Sequence, residues 1–204
     1  FLVTDGGCPS NPSYVSNYDY YRGESPFSEN ETAAIRDLAL EHDFTLSIAY
    51  HSSRSGCVAE RVIFPWIWGG KISPDYSVIQ PLAQQIAELT LSEAGSENYH
   101  FAGSSSPKGN AHDWFYKETG CIQYLIEVGT ANMQPDNVDL IEDTIQRNLP
   151  GAFYAMKRAA GINGPDKHQV TGIVYDSETG EPLEDVEIII DSMNGGVLSP
   201  RLTD

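Results

Sequence analysis

"CIQYLIEV", residues 121–128, is a nearly continuous apolar run that carries one charge, Glu127, next to its end. A strand with one wet face alternates polar and apolar residues, whereas a strand without alternation is covered on both faces, as in α/β sheets. Upstream, Phe44, Leu46, Ile48 and Tyr50 alternate with Thr45, Ser47 and Ala49, which predicts a strand running into His51. A short strand Val62-Ile63-Phe64 follows and is stopped by Pro65. Between these runs the period lengthens. Ser28 with Glu31 forms a capping box ahead of Ala33, Ala34, Ile35, Leu38 and Ala39, predicting a helix over 28–41. Ile79, Leu82, Ala83, Ile86 and Leu89 predict a second helix over 75–93, with Pro81 placed near its first turn. A third spans 136–160 with a kink at Pro150, and 1–27 and 101–114 are loops by composition.

Strands alternating with helices define an α/β domain with a mostly parallel or mixed sheet flanked by helices. Sites in such sheets gather at the carboxyl ends of strands. His51 and Glu127 both stand at such ends. A histidine there can bind a metal, carry a proton or simply cap the sheet, and a glutamate can serve as a base or face water.

The formal charge of the 204 residues is -17, from 29 acidic and 12 basic side chains. A surface of that sign repels nucleic acid and anionic membranes, so no nucleic-acid partner is expected. No apolar run reaches the roughly 18 residues of a membrane helix, so no membrane span is expected. The chain opens on Phe1-Leu2-Val3 without a signal peptide pattern and is read as a fragment. Cys8 and Cys57 lie in loop-like sequence and are free to pair, while Cys121 opens an apolar run as a buried thiol. Asn30-Glu31-Thr32 is a glycosylation sequon placed at a helix start.

The pattern changes after residue 161. Residues 162–169 are a linker by composition, and "VTGIVYDSETGEPLEDVEIIID" (170–191) holds two short β runs around a turn. Residues 170–204 read as the first strands of a separate β-sandwich, too few to close a core alone. The domain division is therefore 1–161, linker 162–169 and 170–204.

The order of "YYRGESPFSENET" (20–32), "AYHSS" with "VIFPW" after it, "AHDWFY" (111–116) and "CIQYLIEVG" (121–129) resembles the catalytic domain of the zinc metallocarboxypeptidases, the carboxypeptidase A-like family. The match covers the C-terminal part of that domain, and "TGIVYDSETGEPLEDV" resembles the transthyretin-like regulatory module that often follows it. The resemblance implies one zinc ion per complete catalytic domain, peptide or protein C-termini as substrates, and an extracellular or cell-surface protein. It assigns His51 as a zinc ligand and Glu127 as the glutamate that activates water. It also puts His112, the residue before Asp113, at the position that sets side-chain preference.

The chain departs from the family in four places. No H-x-x-E occurs: none of His42, His51, His100, His112 and His168 has Glu three residues on. The arginines that hold a substrate's terminal carboxylate in the family have no counterpart here. The family's mobile tyrosine falls around Ser104 to Ser106, where the chain has only serines, Pro107 and Lys108, and Tyr99 is the nearest alternative. The segment between His51 and Pro65 is long and carries Arg54, Cys57, Glu60 and Arg61, read as a solvated insertion. On this ligand count the chain alone is expected to be inactive. Two other functions fit the same residues: a metal-free carboxypeptidase-like binding module, and a zinc amidohydrolase acting on acylated amino acids or cell-wall peptides.

Overall fold

Residues 122–128 form the strand that the rest of the molecule is built around. The computed structural model describes residues 23–42, 44–52, 60–68, 71–93, 95–104, 109–129, 137–162, 172–188 and 201–202. In chain order these give α1 (Asn30–Glu41), β1 (Leu46–Ser52), β2 (Arg61–Phe64), β3 (Ile67–Trp68), β4 (Lys71–Ile72), α2 (Tyr76–Glu88), β5 (His100–Gly103), α3 (Ala111–Thr119), β6 (Ile122–Val128), α4 (Val138–Ala159), β7 (Glu187–Ile188) and β8 (Arg201–Leu202). The main sheet has the order β1-β6-β2-β5, parallel within β1/β6 and β2/β5 and antiparallel between β6 and β2. The fold is thus α/β with a mixed sheet flanked by helices.

Alternation along β6 sorts its residues to two faces. Tyr124, Ile126 and Val128, with Val62 and Phe64 of β2, pack against Ile79, Leu82, Ala83 and Ile86 of α2 and Ala155 of α4. Tyr124 is fully buried and its hydroxyl donates to the Ile79 carbonyl at 2.9 Å, so its polar tip is satisfied inside the core. On the other face, Gln123 Nε2 donates to Ser47 Oγ at 3.1 Å. A smaller cluster of Ala39, Phe115 and Cys121 brings in α1 and α3 there. Cys121 is a buried free thiol as expected; Cys8 and Cys57 lie outside the described residues.

Three local expectations are corrected. The cap of α1 is Glu29, not Ser28, and no side chain caps it; Ser28 Oγ bonds Glu29 Oε1 at 2.9 Å instead. The helix over 75–93 is shorter, 76–88, and Pro81 sits in its second turn, at the cost of one helical hydrogen bond. Residues 101–114 are not loop throughout, since they contain the end of β5 and the start of α3. Gly120 ends α3 in the left-handed conformation (φ 73°), a signal that the sequence reading passed over. The third helix matches its expected span to within two residues, capped by Asn137, whose side chain accepts from the Leu140 amide at 3.3 Å.

Residues 172–188 make a tight turn with its own hydrogen bonds. Asp176 Oδ1 accepts from the amides of Glu178 and Thr179, both at 2.8 Å, and Tyr175 bridges Pro182 in antiparallel sense. β7 pairs antiparallel with β8. Among the described residues no helix is long and apolar enough to cross a membrane.

Candidate active site

Sheet register builds the site. His51 of β1 is the direct partner of Glu127 of β6 in the parallel pair, and Glu127 is the direct partner of Arg61 of β2. Arg61 in turn faces His100 of β5. Directly paired residues project to the same side of a sheet. The end of the sheet therefore carries one polar row on one face: His51, Glu127, Arg61, His100. The row inward of it on that face is Ala49, Leu125, Ile63 and Ala102, all small or apolar. The change from apolar to ionisable at one register position puts the chemistry at the rim.

His51 is exposed and Glu127 is half-buried. Burial raises the Glu127 carboxyl above the ordinary value, and the charges of His51 and Arg61 pull it part of the way back. Sequence reading found the first two members of the row from their strand ends. It missed Arg61, taken as part of a solvated insertion, and His100, placed before a loop. Both become visible only through pairing between distant strands.

His112 belongs to α3 and is 4% exposed. Its Nε2 lies 3.8 Å from Asp113 Oδ1, too long for a hydrogen bond, and both atoms are buried without a hydrogen-bond partner among the described residues. Burial pushes the His112 imidazole below its ordinary value, the Asp113 carboxylate works the other way, and the charge of His51 lowers it further. His112 is thus a buried residue of α3 within electrostatic reach of His51, not a loop histidine in water.

The start of α3 is held firmly. Ser104 Oγ donates to Asp113 Oδ2 at 3.0 Å, and Asn110 Nδ2 reaches Ser104 Oγ at 3.1 Å and Asp113 Oδ2 at 3.3 Å. The Ser104 amide bonds the Phe64 carbonyl at 2.8 Å, so this network hangs from β2. Farther along, Tyr116 Oη donates to Asp75 Oδ2 at 2.6 Å. The ring of Trp114 packs edge-on against Phe27 at 5.0 Å, and the Arg36 guanidinium stands over Phe27 at 5.3 Å. Two separate sequence motifs, "GESPFSE" and "AHDW", meet in this contact. The turn before it needs unusual backbone: Phe27 has φ 60°, and a Cβ on Gly23 (φ 79°) would fall 2.1 Å from Ser28 Oγ.

Tyr99 does not behave as a mobile tyrosine. It is 4% exposed, its hydroxyl donates to Glu60 Oε1 at 2.9 Å, and burial pushes its pKa up to about 12. Glu60, expected in solvent, is buried at the start of β2, with its side chain 9% exposed. Ser104 is fixed as described above, and Ser105 to Lys108 lie outside the described residues, as do Arg54 and Cys57.

A catalytic zinc site takes three protein ligands and a water. Among the described residues no group of three His, Cys, Asp or Glu side chains is gathered closely enough to hold a metal ion. His51, exposed at a rigid strand end, is a suitable single donor, but the described residues do not complete a zinc site around it.

The family model for zinc carboxypeptidases (Peptidase_M14) matches residues 7–150, which spans β1, β6 and all four members of the polar row. By a match over more than two-thirds of its length, the chain belongs to the zinc carboxypeptidase family, whose chemistry is metallocarboxypeptidase-type hydrolysis of peptides.

Proposed function

We propose that this chain serves in the removal of C-terminal residues from peptides or proteins, with Glu127 as general base and His51 as one zinc ligand. The observation that carries the reading is the direct pairing of His51 with Glu127 at the carboxyl ends of two parallel strands, in a chain of this family. A half-buried carboxylate with a raised pKa is suited to take a proton from an attacking water and return it to the leaving amine. Arg61, beside Glu127, keeps positive charge next to the base. The H-x-x-E pair is not among the 204 residues, so this reading assigns the chain one ligand and the base, not a whole ligand set.

His112 is proposed to face the substrate's C-terminal side chain. Its buried, partnerless Nε2 supports a polar contact there. His112→Asp is then expected to shift preference towards C-terminal Lys or Arg, and an unchanged profile across C-terminal residues would count against it. The extracellular setting and the assignment of 170–204 as the start of a regulatory β-sandwich belong to the same proposal.

The test is release of the C-terminal amino acid from an N-blocked tripeptide by a zinc-loaded protein in which these residues stand together with an H-x-x-E pair. Release should stop with a chelator and with a C-terminally amidated peptide. Zinc titration of the 204-residue chain should show weak binding, because one imidazole does not make a structured site. Peptide-end binding that is indifferent to chelator and never leads to cleavage would favour the metal-free binding module instead.

A further inference from the structure

We infer that Glu60 is a positioning residue for Glu127, fixing the end of β6 from the face opposite the polar row; this rests on the reading of Glu127 as the base. The Glu60 side chain accepts four hydrogen bonds from four separate parts of the chain. Oε1 takes the Tyr99 hydroxyl at 2.9 Å, the Gly129 amide at 3.2 Å and Arg147 Nη1 at 3.4 Å. Oε2 takes the Glu93 amide at 2.7 Å. Glu60 and Arg147 are each only 9% exposed at the side chain. Arg147 is itself fixed, with Nε on Asp143 at 2.8 Å, Nη1 on the Leu91 carbonyl at 2.8 Å and Nη2 on Thr144 Oγ1 at 2.9 Å.

Gly129 lies two residues after Glu127, immediately beyond the last residue of β6. Its amide is where a strand without further pairing begins to fray, and Glu60 holds it. The neighbouring Arg61 is the direct partner of Glu127 across β2/β6. Consecutive residues of one short segment thus act on the same glutamate from both sides of the sheet. Glu60 secures the backbone beyond it, and Arg61 stands beside its side chain. A buried carboxylate with every oxygen occupied resists displacement, because moving it leaves donors unpaired. Glu127 is thereby kept at a fixed height above the sheet rim, which a base that must meet one water requires.

Two variants separate positioning from general stability. Glu60→Met keeps the length and removes every acceptor; Glu60→Gln keeps one acceptor oxygen, enough for Tyr99 and Gly129. Amide hydrogen exchange of the 204-residue chain, and turnover of a zinc-loaded protein that joins it to an H-x-x-E pair, are the readouts. In Glu60→Met the Gly129 amide should exchange about tenfold faster while amides in the middle of β6 stay as they were. Turnover should fall by up to about 10²-fold with KM within about twofold, and Glu60→Gln should restore most of both. Unchanged exchange at Gly129, faster exchange with full turnover, or equal acceleration of all sheet amides in both variants would each overturn the inference. Should Glu60→Met not fold, the unmutated chain decides: protection of Gly129 equal to that of central β6 amides supports it, and none overturns it. An unmutated protein that carries the H-x-x-E pair, binds zinc and still cleaves no peptide would remove the reading of Glu127 as base, while the exchange measurement would still say whether Glu60 holds the strand end.

Discussion

The two faces of the sheet end are built differently. On the face covered by α2 and α4, the Glu60 carboxylate meets four donors, and the Arg147 guanidinium meets Asp143, Thr144, the Leu91 carbonyl and Glu60. On the face of the polar row, His112 Nε2 and Asp113 Oδ1 are buried 3.8 Å apart with no partner, and His51 is exposed. Leaving a buried polar atom unpaired costs about 1–3 kcal/mol, so a fold tolerates it only where something else gains. Glu60 and Arg147 have every polar side-chain atom engaged, whereas His112 Nε2 and Asp113 Oδ1 have no hydrogen-bond partner among the described residues. On the proposed function, the polar row is the working side and the Glu60 knot its support.

The largest expected effect lies on the working side. Glu127→Gln keeps the size of the side chain and loses the base. In a protein that joins these residues to an H-x-x-E pair, turnover should drop by about 10²–10⁴-fold, with melting temperature and zinc content unchanged. Near-normal turnover would remove Glu127 from the chemistry and collapse the distinction between the two faces.

How much of this contrast could be read from the sequence depends on how far apart the partners lie. His51 and Glu127 were legible because each ends an apolar run, and a strand end is a local signal. The row's other half was not, since Arg61 and His100 join it only through the β6/β2/β5 register. Glu60 was misread for a related reason. A glutamate in a polar stretch looks solvated, and only Arg147, 87 residues away, together with Tyr99 and Gly129, shows that it is buried. β5 was missed because four residues ending in glycine give no period to detect. α3 was missed although its stop signal, Gly120, was present, because nine residues are barely two and a half turns. The "GESPFSE" motif shows the reverse case. Its glycine and phenylalanine adopt left-handed backbone that pattern reading does not see, yet the motif named the family.

A smaller effect is expected in the support. Gly151 of α4 lies against the end of α2, where a Cβ would stand 2.8 Å from Thr90 Oγ1 and 3.1 Å from the Ile86 carbonyl. Thr90 Oγ1 is buried and already bonded to that carbonyl at 2.9 Å, so it has nowhere to go. Alanine gains about 1 kcal/mol of helix propensity over glycine, while overpacking costs about 1–3 kcal/mol. The clash wins. Gly151→Ala should lose about 1 kcal/mol in a urea titration, and because α4 carries Arg147, peptide turnover should fall with it. A stabilised variant would mean that α2 and α4 are not in close contact.

The smallest effect is a pH dependence that distinguishes the faces without any substrate. Burial first, then the charge of His51, holds the His112 imidazole below its ordinary value, against the pull of Asp113. The folded state therefore prefers neutral His112, while in the unfolded chain the ring takes a proton as pH falls through about 6.5. Below that point the unfolded state binds more protons, so this contribution is present above about pH 6.5 and is lost as pH falls through it. On the support face, Tyr99 adds no such slope in that range, since burial pushes it up to about 12. Urea midpoints at about pH 7.5 and about pH 5.5 should thus fall more in the unmutated chain than in His112→Asn, which has no proton to gain. Equal falls in the two proteins would show that His112 is not held neutral.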